Sequence, residues 1–450
     1  MKVEAGLAAR KGLSTCMNDV TIGMIGLGTV GTGVARLLTE HADRIARRAG
    51  RRVRWTWAAV RNLDKPRDVR LDGVRLTTDV SRLIDDPDVD VIIETMGGTQ
   101  PALKFVLGAL AAGKHVVTAN KALLAEHGAA VFTQARASGR AVAFEASVGG
   151  GIPIVQSLAF ALAANQVQSI AAILNGTCNF ILTQMTLEGL AYEDALRQAQ
   201  ALGYAEADPT MDVDGTDTAH KLAILAQLAF ETSIRLDDIH REGIDRLNLA
   251  DLKYASELGY AIKLLALAKL SKDGLDLRVA PTLVKHGTPL AEVRGPYNAI
   301  RVVGDAVGDT LFYGRGAGAM PTASAVVGDL IDVVSGRAVL PTRLLSLWSD
   351  SAPGVTLTPS NRVRNRYYLH FTIADRPGVL AKLAQILGDK GISIASVIQH
   401  DPGDDAPSHG PVPLVIMTHL AVHADLRAAI DVIDQLEVVH APSICLGVED

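Results

Sequence analysis

Residues 20–38 read VTIGMIGLGTVGTGVARLL, and no other stretch restricts the fold so tightly. A short apolar run is followed by the turn Gly26-x-Gly28-x-x-Gly31 and then by apolar residues at helical spacing. Three glycines so placed let a strand turn sharply into a helix while a pyrophosphate approaches the backbone. The helix N-terminus, with its unpaired amide N–H groups and positive dipole end, favours that anion. A GxGxxG alone is a weak signal, but between a strand and a helix it predicts a dinucleotide turn, with Thr29 and Val30 inside it.

The alternation continues downstream. Strands are expected at 53–60, 89–95, 115–120 and 141–146, and helices at 80–86, 101–113 and 121–139. Such alternation builds a parallel, doubly wound sheet, so the expected class is α/β and Rossmann-like. Ligands on these sheets bind beyond the carboxyl ends of the strands, which brings Thr95, Met96, Gly97, Thr118, Asn120 and Lys121 to a cofactor crevice. The second strand ends Ala59-Val60-Arg61-Asn62, with Lys65 nearby and no acid before Asp64. A carboxylate there would grip a ribose 2′-hydroxyl, whereas a cation suits a 2′-phosphate. Arg61 therefore favours NADP(H), with NAD(H) the other candidate; the plain alternative is a solvated loop arginine.

At 450 residues the chain has room for two or three domains. The texture suggests a loose extension over 1–19, a dinucleotide-binding domain over 20–148 and an α+β catalytic and dimerisation domain over 149–325. A helix within 326–349 is expected to return to the first domain, a linker fills 350–366, and a βαββαβ unit occupies 367–450. The net charge of −5, without a Lys/Arg stripe, argues against nucleic acid. No apolar run is long enough for a membrane span, and the first residues lack a signal-peptide core. Cys16, Cys178 and Cys445 are too far apart in sequence for a disulfide framework or a zinc spacing, which fits a cytoplasmic setting.

The segment ADPTMDVDGTDTAHK (207–221) crowds four aspartates against an apolar helix and closes with a lysine. A calcium loop with Gly215 at position 6 would have Thr210 at position 1 and Lys221 where a bidentate glutamate belongs, so calcium is rejected. Acids at a helix start also suit its dipole, and Asp217 with Lys221 forms an i,i+4 pair. Yet 217, 221, 224, 225 and 228 share one helical face, which places the pair at the end of an apolar stripe. A lysine there loses hydration while Asp217 supports its charge, as an acid–base group near neutral pH requires. The pattern alone leaves catalysis and a buried structural pair both open.

The stretch GYAEADPTMDVDGTDTAHK (203–221), preceded by Ala199, resembles the signature of homoserine dehydrogenases. So do TANK (118–121), EASVGGGIP (145–153), NGTCNFIL (175–182) and GAGAMPTASAVVGD (316–329), and the resemblance spans residues 20–345. It implies reversible reduction of L-aspartate 4-semialdehyde to L-homoserine, a step of threonine, methionine and isoleucine biosynthesis. Lys221 would give the proton to the aldehyde oxygen, with Asp217 holding it and the substrate hydroxyl. Glu206 and Asp212 would bind the substrate amino group, and Tyr204 and Thr177 would orient the amino acid. Lys121 would lie near nicotinamide and substrate, with Gly203 and Gly318 toward the cofactor. Glu145 and the carbonyls of Val148, Gly150 and Ile152 would hold a monovalent cation, Na+ or K+, unless GGGIP is a bend without an ion.

Residues from 367 resemble an ACT regulatory domain. Threonine is expected near Asp375, Gly378, Val379, Ile392 and Ser393, unless the unit only pairs subunits; a homodimer or homotetramer is implied. Two rivals stand beside this reading. One is a non-catalytic protein that binds dinucleotide and amino acid. The other is an aldehyde dehydrogenase using Cys178 through a thioester, for which no partner histidine is visible nearby.

Overall fold

The computed structural model describes residues 19–339, 342, 348, 354–400 and 410–449. The extension expected over 1–19, apart from Asp19, and most of 340–353 lie outside the described residues. The chain divides into two compact units, one holding residues up to 123, 127–147 and 318–346, the other 124–126, 148–317 and 347–450.

In the first unit β1 (Val20–Ile25), α1 (Thr29–Glu40), α2 (Ala42–Ala49), β2 (Val53–Ala59) and β3 (Arg75–Thr77) come first. They are followed by α3 (Ser81–Asp85), β4 (Val91–Glu94), α4 (Gln100–Ala111), β5 (His115–Thr118), α5 (Lys121–Ser138) and β6 (Val142–Ala143). The strand order is β3-β2-β1-β4-β5-β6 and every pairing is parallel, the order of a Rossmann sheet. The strands carry unbroken apolar runs because both sheet faces are covered; Ile22, Met24, Ile93 and Val117 are fully buried. Helix α12 (Ala319–Val334) covers one face with Ala323, Val326 and Leu330. Gly33 of α1 permits its close approach, since a Cβ at Gly33 would lie 2.8 Å from the Ala319 carbonyl oxygen. The strand expected over 141–146 stops at Ala143, because Glu145–Ser147 winds into a 3-10 turn that the Ser147 hydroxyl closes on the Phe144 carbonyl at 2.6 Å.

The second unit begins with the short α6 (Ile154–Gln156) and β7 (Val167–Ile173), then α7 (Gly176–Glu188), α8 (Tyr192–Ala201), α9 (Thr210–Val213) and α10 (Thr216–Phe230). After β8 (His240–Arg241) and α11 (Leu249–Glu257) come two hairpins, β9 (Tyr260–Ser271) with β10 (Gly274–Lys285) and β11 (Tyr297–Gly304) with β12 (Gly308–Arg315). The C-terminal part adds β13 (Arg364–Asn365), β14 (Tyr367–Ala374), α13 (Val379–Asp389), β15 (Ile394–Ile398), β16 (Pro411–Thr418), β17 (Ala421–Val422), α14 (His423–Ile433) and β18 (Ile444–Glu449).

One sheet runs through this whole unit in the order β12-β11-β7-β9-β10-β18-β14-β16-β15. Strand β10 pairs with β9 along its full length and shares its other edge between β8, at Arg278 and Val279, and β18, at Thr282–Val284. The C-terminal βαββαβ unit thus continues the sheet of the preceding domain. The segment before it is pinned too: Leu275 donates its N–H to Thr356 and accepts from Thr358.

Candidate functional site

The glycine turn has three distinct jobs. Gly26 sits at φ +96°, and a Cβ there would come 2.8 Å from the Thr95 carbonyl oxygen. A Cβ on Gly31 would come 2.3 Å from the Gly26 carbonyl oxygen, so only glycine lets α1 start this close to β1. In front of Gly28 nothing lies within 4 Å. Gly28 is the N-cap of α1, so the turn has room for a phosphate where the helix offers its amides. The Thr95 hydroxyl donates to the Gly26 carbonyl at 2.9 Å and holds the turn.

Sequence reading missed the group that organises the strand ends beside it. Glu94, the last residue of β4, is completely buried. One of its carboxylate oxygens accepts from the Met96 N–H at 2.8 Å and the other from the Thr118 hydroxyl at 2.6 Å. Asn120 caps α5 through Leu123 and donates to the Gly98 carbonyl at 2.7 Å, which leaves Lys121 as the first helical residue. Burial pushes the Glu94 carboxyl up, against these donors. The hydroxyls of Thr95 and Thr118 are therefore spent on shaping the crevice. Arg61 follows β2 and is exposed.

Glu145 belongs to the first unit and Val148, Gly150 and Ile152 to the second. Asp329 of α12 accepts the backbone N–H groups of Glu145 and Ala146, and burial followed by the Glu145 charge pushes its carboxyl well up. Gly150 is fixed against Gly316, whose carbonyl a Cβ would meet at 2.6 Å. Gly318 caps α12 in the first unit at φ +118°, while Gly203 follows α8 in the second at φ +74°.

In the second unit the crowd of aspartates separates into two pairs. Asp208 binds the Thr210 hydroxyl and N–H, and Asp214 binds the Thr216 hydroxyl and N–H, so both are local caps. Asp212 and Asp217 meet at Asn175, whose side-chain nitrogen donates to Asp212 Oδ1 at 2.8 Å and Asp217 Oδ2 at 3.0 Å. The Lys221 ammonium donates to Asp217 Oδ2 at 2.6 Å and to the Leu174 carbonyl at 2.7 Å, just past the end of β7. The apolar-stripe expectation needs correction: every residue of α10 from Asp217 to Leu228 is buried, so this helix has no wet face. The pair is enclosed because β7, β9 and β10 of the sheet and neighbouring segments pack around α10.

The other residues expected to bind substrate are less tightly gathered. The Thr177 hydroxyl donates to the Tyr204 carbonyl at 2.7 Å, and the Tyr204 ring lies 5.0 Å from that of Phe180. This ties the 203–206 turn to α7. Glu206 is exposed and, among the described residues, its carboxylate makes no hydrogen bond with the cluster. Cys178 is fully buried and its Sγ donates to the Asp212 carbonyl at 3.2 Å. Burial, then Asp212 and Asp217, push its thiol well up, which argues against a thiolate nucleophile.

In the C-terminal unit Asp375 and Gly378 are exposed between β14 and α13, with Gly378 capping α13 at φ +90°. Val379 and Ile392 point into the apolar core, so a ligand would meet their backbone. Ser393 lies between Ile392 and β15, and its carbonyl accepts from the His419 N–H. Among the described residues no helix is long and apolar enough to cross a membrane, and no three His, Cys, Asp or Glu side chains cluster as a metal site.

Comparison with known proteins decides what this geometry serves. The homoserine dehydrogenase of Pseudomonas aeruginosa is 43% identical over 436 residues, which cover 96% of this chain and 99% of that protein. The chain belongs to the homoserine dehydrogenase family. The family model "Homoserine dehydrogenase" matches residues 153–331, its "NAD binding domain" residues 26–145, and the ACT domain model residues 367–438. The homoserine dehydrogenase of Neisseria gonorrhoeae is likewise 43% identical, covering 96% and 99% of the two chains. The crystal structure of a homoserine dehydrogenase from Thiobacillus denitrificans matches with a TM-score of 0.88 at 43% identity, over 96% of this chain and 99% of that one. A homoserine dehydrogenase is an oxidoreductase, so the Rossmann sheet is its nicotinamide-dinucleotide unit and the C-terminal βαββαβ unit its ACT domain. The Cys178 aldehyde dehydrogenase and the non-catalytic binding protein are set aside.

Proposed function

We propose that in this homoserine dehydrogenase Lys221 is the acid–base residue for the interconversion of L-aspartate 4-semialdehyde and L-homoserine. The observation that carries the reading is the enclosed Lys221 ammonium, held between Asp217 and the Leu174 carbonyl. Bound NADPH supplies the hydride. As negative charge develops on the aldehyde oxygen, the ammonium stabilises it and hands over a proton; in the reverse direction the amine takes it back. Asp217 keeps the nitrogen in place and receives the substrate hydroxyl. Asp212 and Glu206 hold the substrate's ammonium, which accounts for the surplus of carboxylates at this end of α10. Tyr204 and Thr177 shape the turn that carries Glu206, and Lys121 is assigned a second catalytic role.

The finer parts of the reading rest on the resemblance and the features noted above. NADP(H) preference is supported by Arg61 and the missing acid after β2. A Na+ or K+ ion at Glu145, Val148, Gly150 and Ile152 would stiffen the 148–152 turn. Threonine at Asp375–Val379 and Ile392–Ser393 would inhibit. A homodimer or homotetramer is supported by β12, an edge strand with Leu311 and Tyr313 exposed.

One assay tests the set: NADPH oxidation with aspartate semialdehyde, wild type beside Lys221→Ala. Loss of kcat by on the order of 10²-fold or more, with NADPH affinity unchanged, is expected of a missing proton donor. Further arms use NADH, alkali-free buffer and added threonine; the expected results are weaker turnover in each. A Lys221→Ala enzyme as fast as wild type would remove the central claim.

A further inference from the structure

The Asn175 side chain makes three hydrogen bonds in two directions. Its Oδ1 accepts the Cys178 N–H at 2.8 Å and caps α7. Its Nδ2 donates to Asp212 at 2.8 Å and to Asp217 at 3.0 Å. The residue is buried, with 4% of its surface exposed. An amide nitrogen has two N–H donors, and here both go to carboxylates on different segments, α9 and the first turn of α10.

We propose that Asn175 is the positioning residue of the acid–base pair. Its amide joins the carboxylate that receives the substrate's ammonium to the carboxylate that holds Lys221. The proposal rests on the roles given to Asp212, Asp217 and Lys221 above. Two carboxylates drawn onto one nitrogen repel each other, and a donor shared between them offsets that repulsion. The same bond fixes the distance between the amino-group site and the proton donor, and hence where the substrate's aldehyde lies. Since α7 holds the Asn175 side chain through its own cap, the nitrogen has little freedom to swing away.

Two substitutions separate this role from capping. Serine and aspartate both cap helices well, so Asn175→Ser and Asn175→Asp preserve the Cys178 N–H bond. Neither can donate to both aspartates. If Asn175 only caps α7, both variants keep wild-type turnover. If it positions the pair, both keep wild-type NADPH affinity but lose about 10- to 100-fold in kcat/KM for aspartate semialdehyde, the loss expected when a bond to a charged group is removed.

The aspartate variant also adds a further carboxylate beside Asp212 and Asp217, in a neighbourhood that includes Lys221, Asp214 and the Cys178 thiol. Like charges raise one another's pKa, so the acid limb of its kcat/KM profile moves to higher pH, and that of Asn175→Ser stays closer to wild type. Asn175→Asp with an unshifted profile and full turnover overturns the proposal. The roles beneath it fail in a different way. Asp217→Asn with full turnover would remove them, whereas an inactive Asp217→Asn beside a fully active Asn175→Ser removes only the inference about Asn175.

Discussion

At the residue scale, the chemistry depends on which acids are already occupied. Asp208 and Asp214 serve neighbouring backbone and threonine groups, so substituting them should act through local order rather than through the proton donor. Cys178 is the opposite case, a reactive residue type made inert. Its thiol is buried and pushed well up, and its hydrogen goes to the Asp212 carbonyl. Cys445 is half-buried, and its thiol is pushed up to about 12, chiefly by burial. Treatment with an alkylating reagent at pH 8 should therefore leave turnover intact, which a rate assay before and after exposure would check; rapid inactivation protected by substrate would contradict the inert assignment. The Lys221–Asp217 pair was legible in the sequence because its members are one helical turn apart. Asn175 and Glu94 were not, since their partners lie 24 to 42 positions away and neither residue type stands out in its own segment.

At the element scale, the informative junction lies between α14 and the strands β8 and β10. His423 opens α14, with its ring 5.8 Å from that of His240 and its Nδ1 3.3 Å from the Tyr367 hydroxyl. Arg427, one turn later, pairs with Glu242, which also meets His240 at 3.1 Å. Burial, then Arg427 and His240, lower the His423 pKa to about 4, with Glu242 opposing them. A histidine depressed in the folded state binds protons more readily when unfolded, so its effect on stability is absent above the unfolded value of about 6.5 and grows as pH falls toward 4. The melting temperature should drop across that window, and His423→Gln should flatten the slope. An equal slope in both proteins would place the acid sensitivity elsewhere. Glu242 is followed by Gly243, where a Cβ would lie 2.3 Å from the Val213 carbonyl oxygen, so this junction backs directly onto the segment carrying Asp212. Nothing in the spacing of β8 signals that contact.

At the scale of the whole molecule, the parallel Rossmann order follows from the alternation of short apolar strands and helices, a pattern that is local and repeated. The ten-stranded sheet was not legible, because β10 and β18 are separated by more than 150 residues and a parallel edge pairing leaves no mark in either strand. Its energetic consequence is testable. Removing residues 367–450 would strip β18 from Thr282–Val284 and expose a paired edge rich in apolar side chains. Such edges recruit other strands, so the truncated protein should aggregate on light scattering at concentrations where the full chain stays dispersed. A truncated protein that remains dispersed and active would show that the edge tolerates water.

The shared edge at β10 also bears on inheritance. A module tied on by a tether can be traded between genes at any point in the tether, because neither side has shaped its surface to the other. Here a crossover between residues 354 and 366 would part Thr282, Leu283 and Val284 from Gly447, Val448 and Glu449, the residues that lie opposite them in the parallel pairing. An exchanged C-terminal segment would have to arrive with a final strand already matched to β10. Chimeras built from relatives should accordingly succeed or fail on the fit of these six positions rather than on the choice of linker.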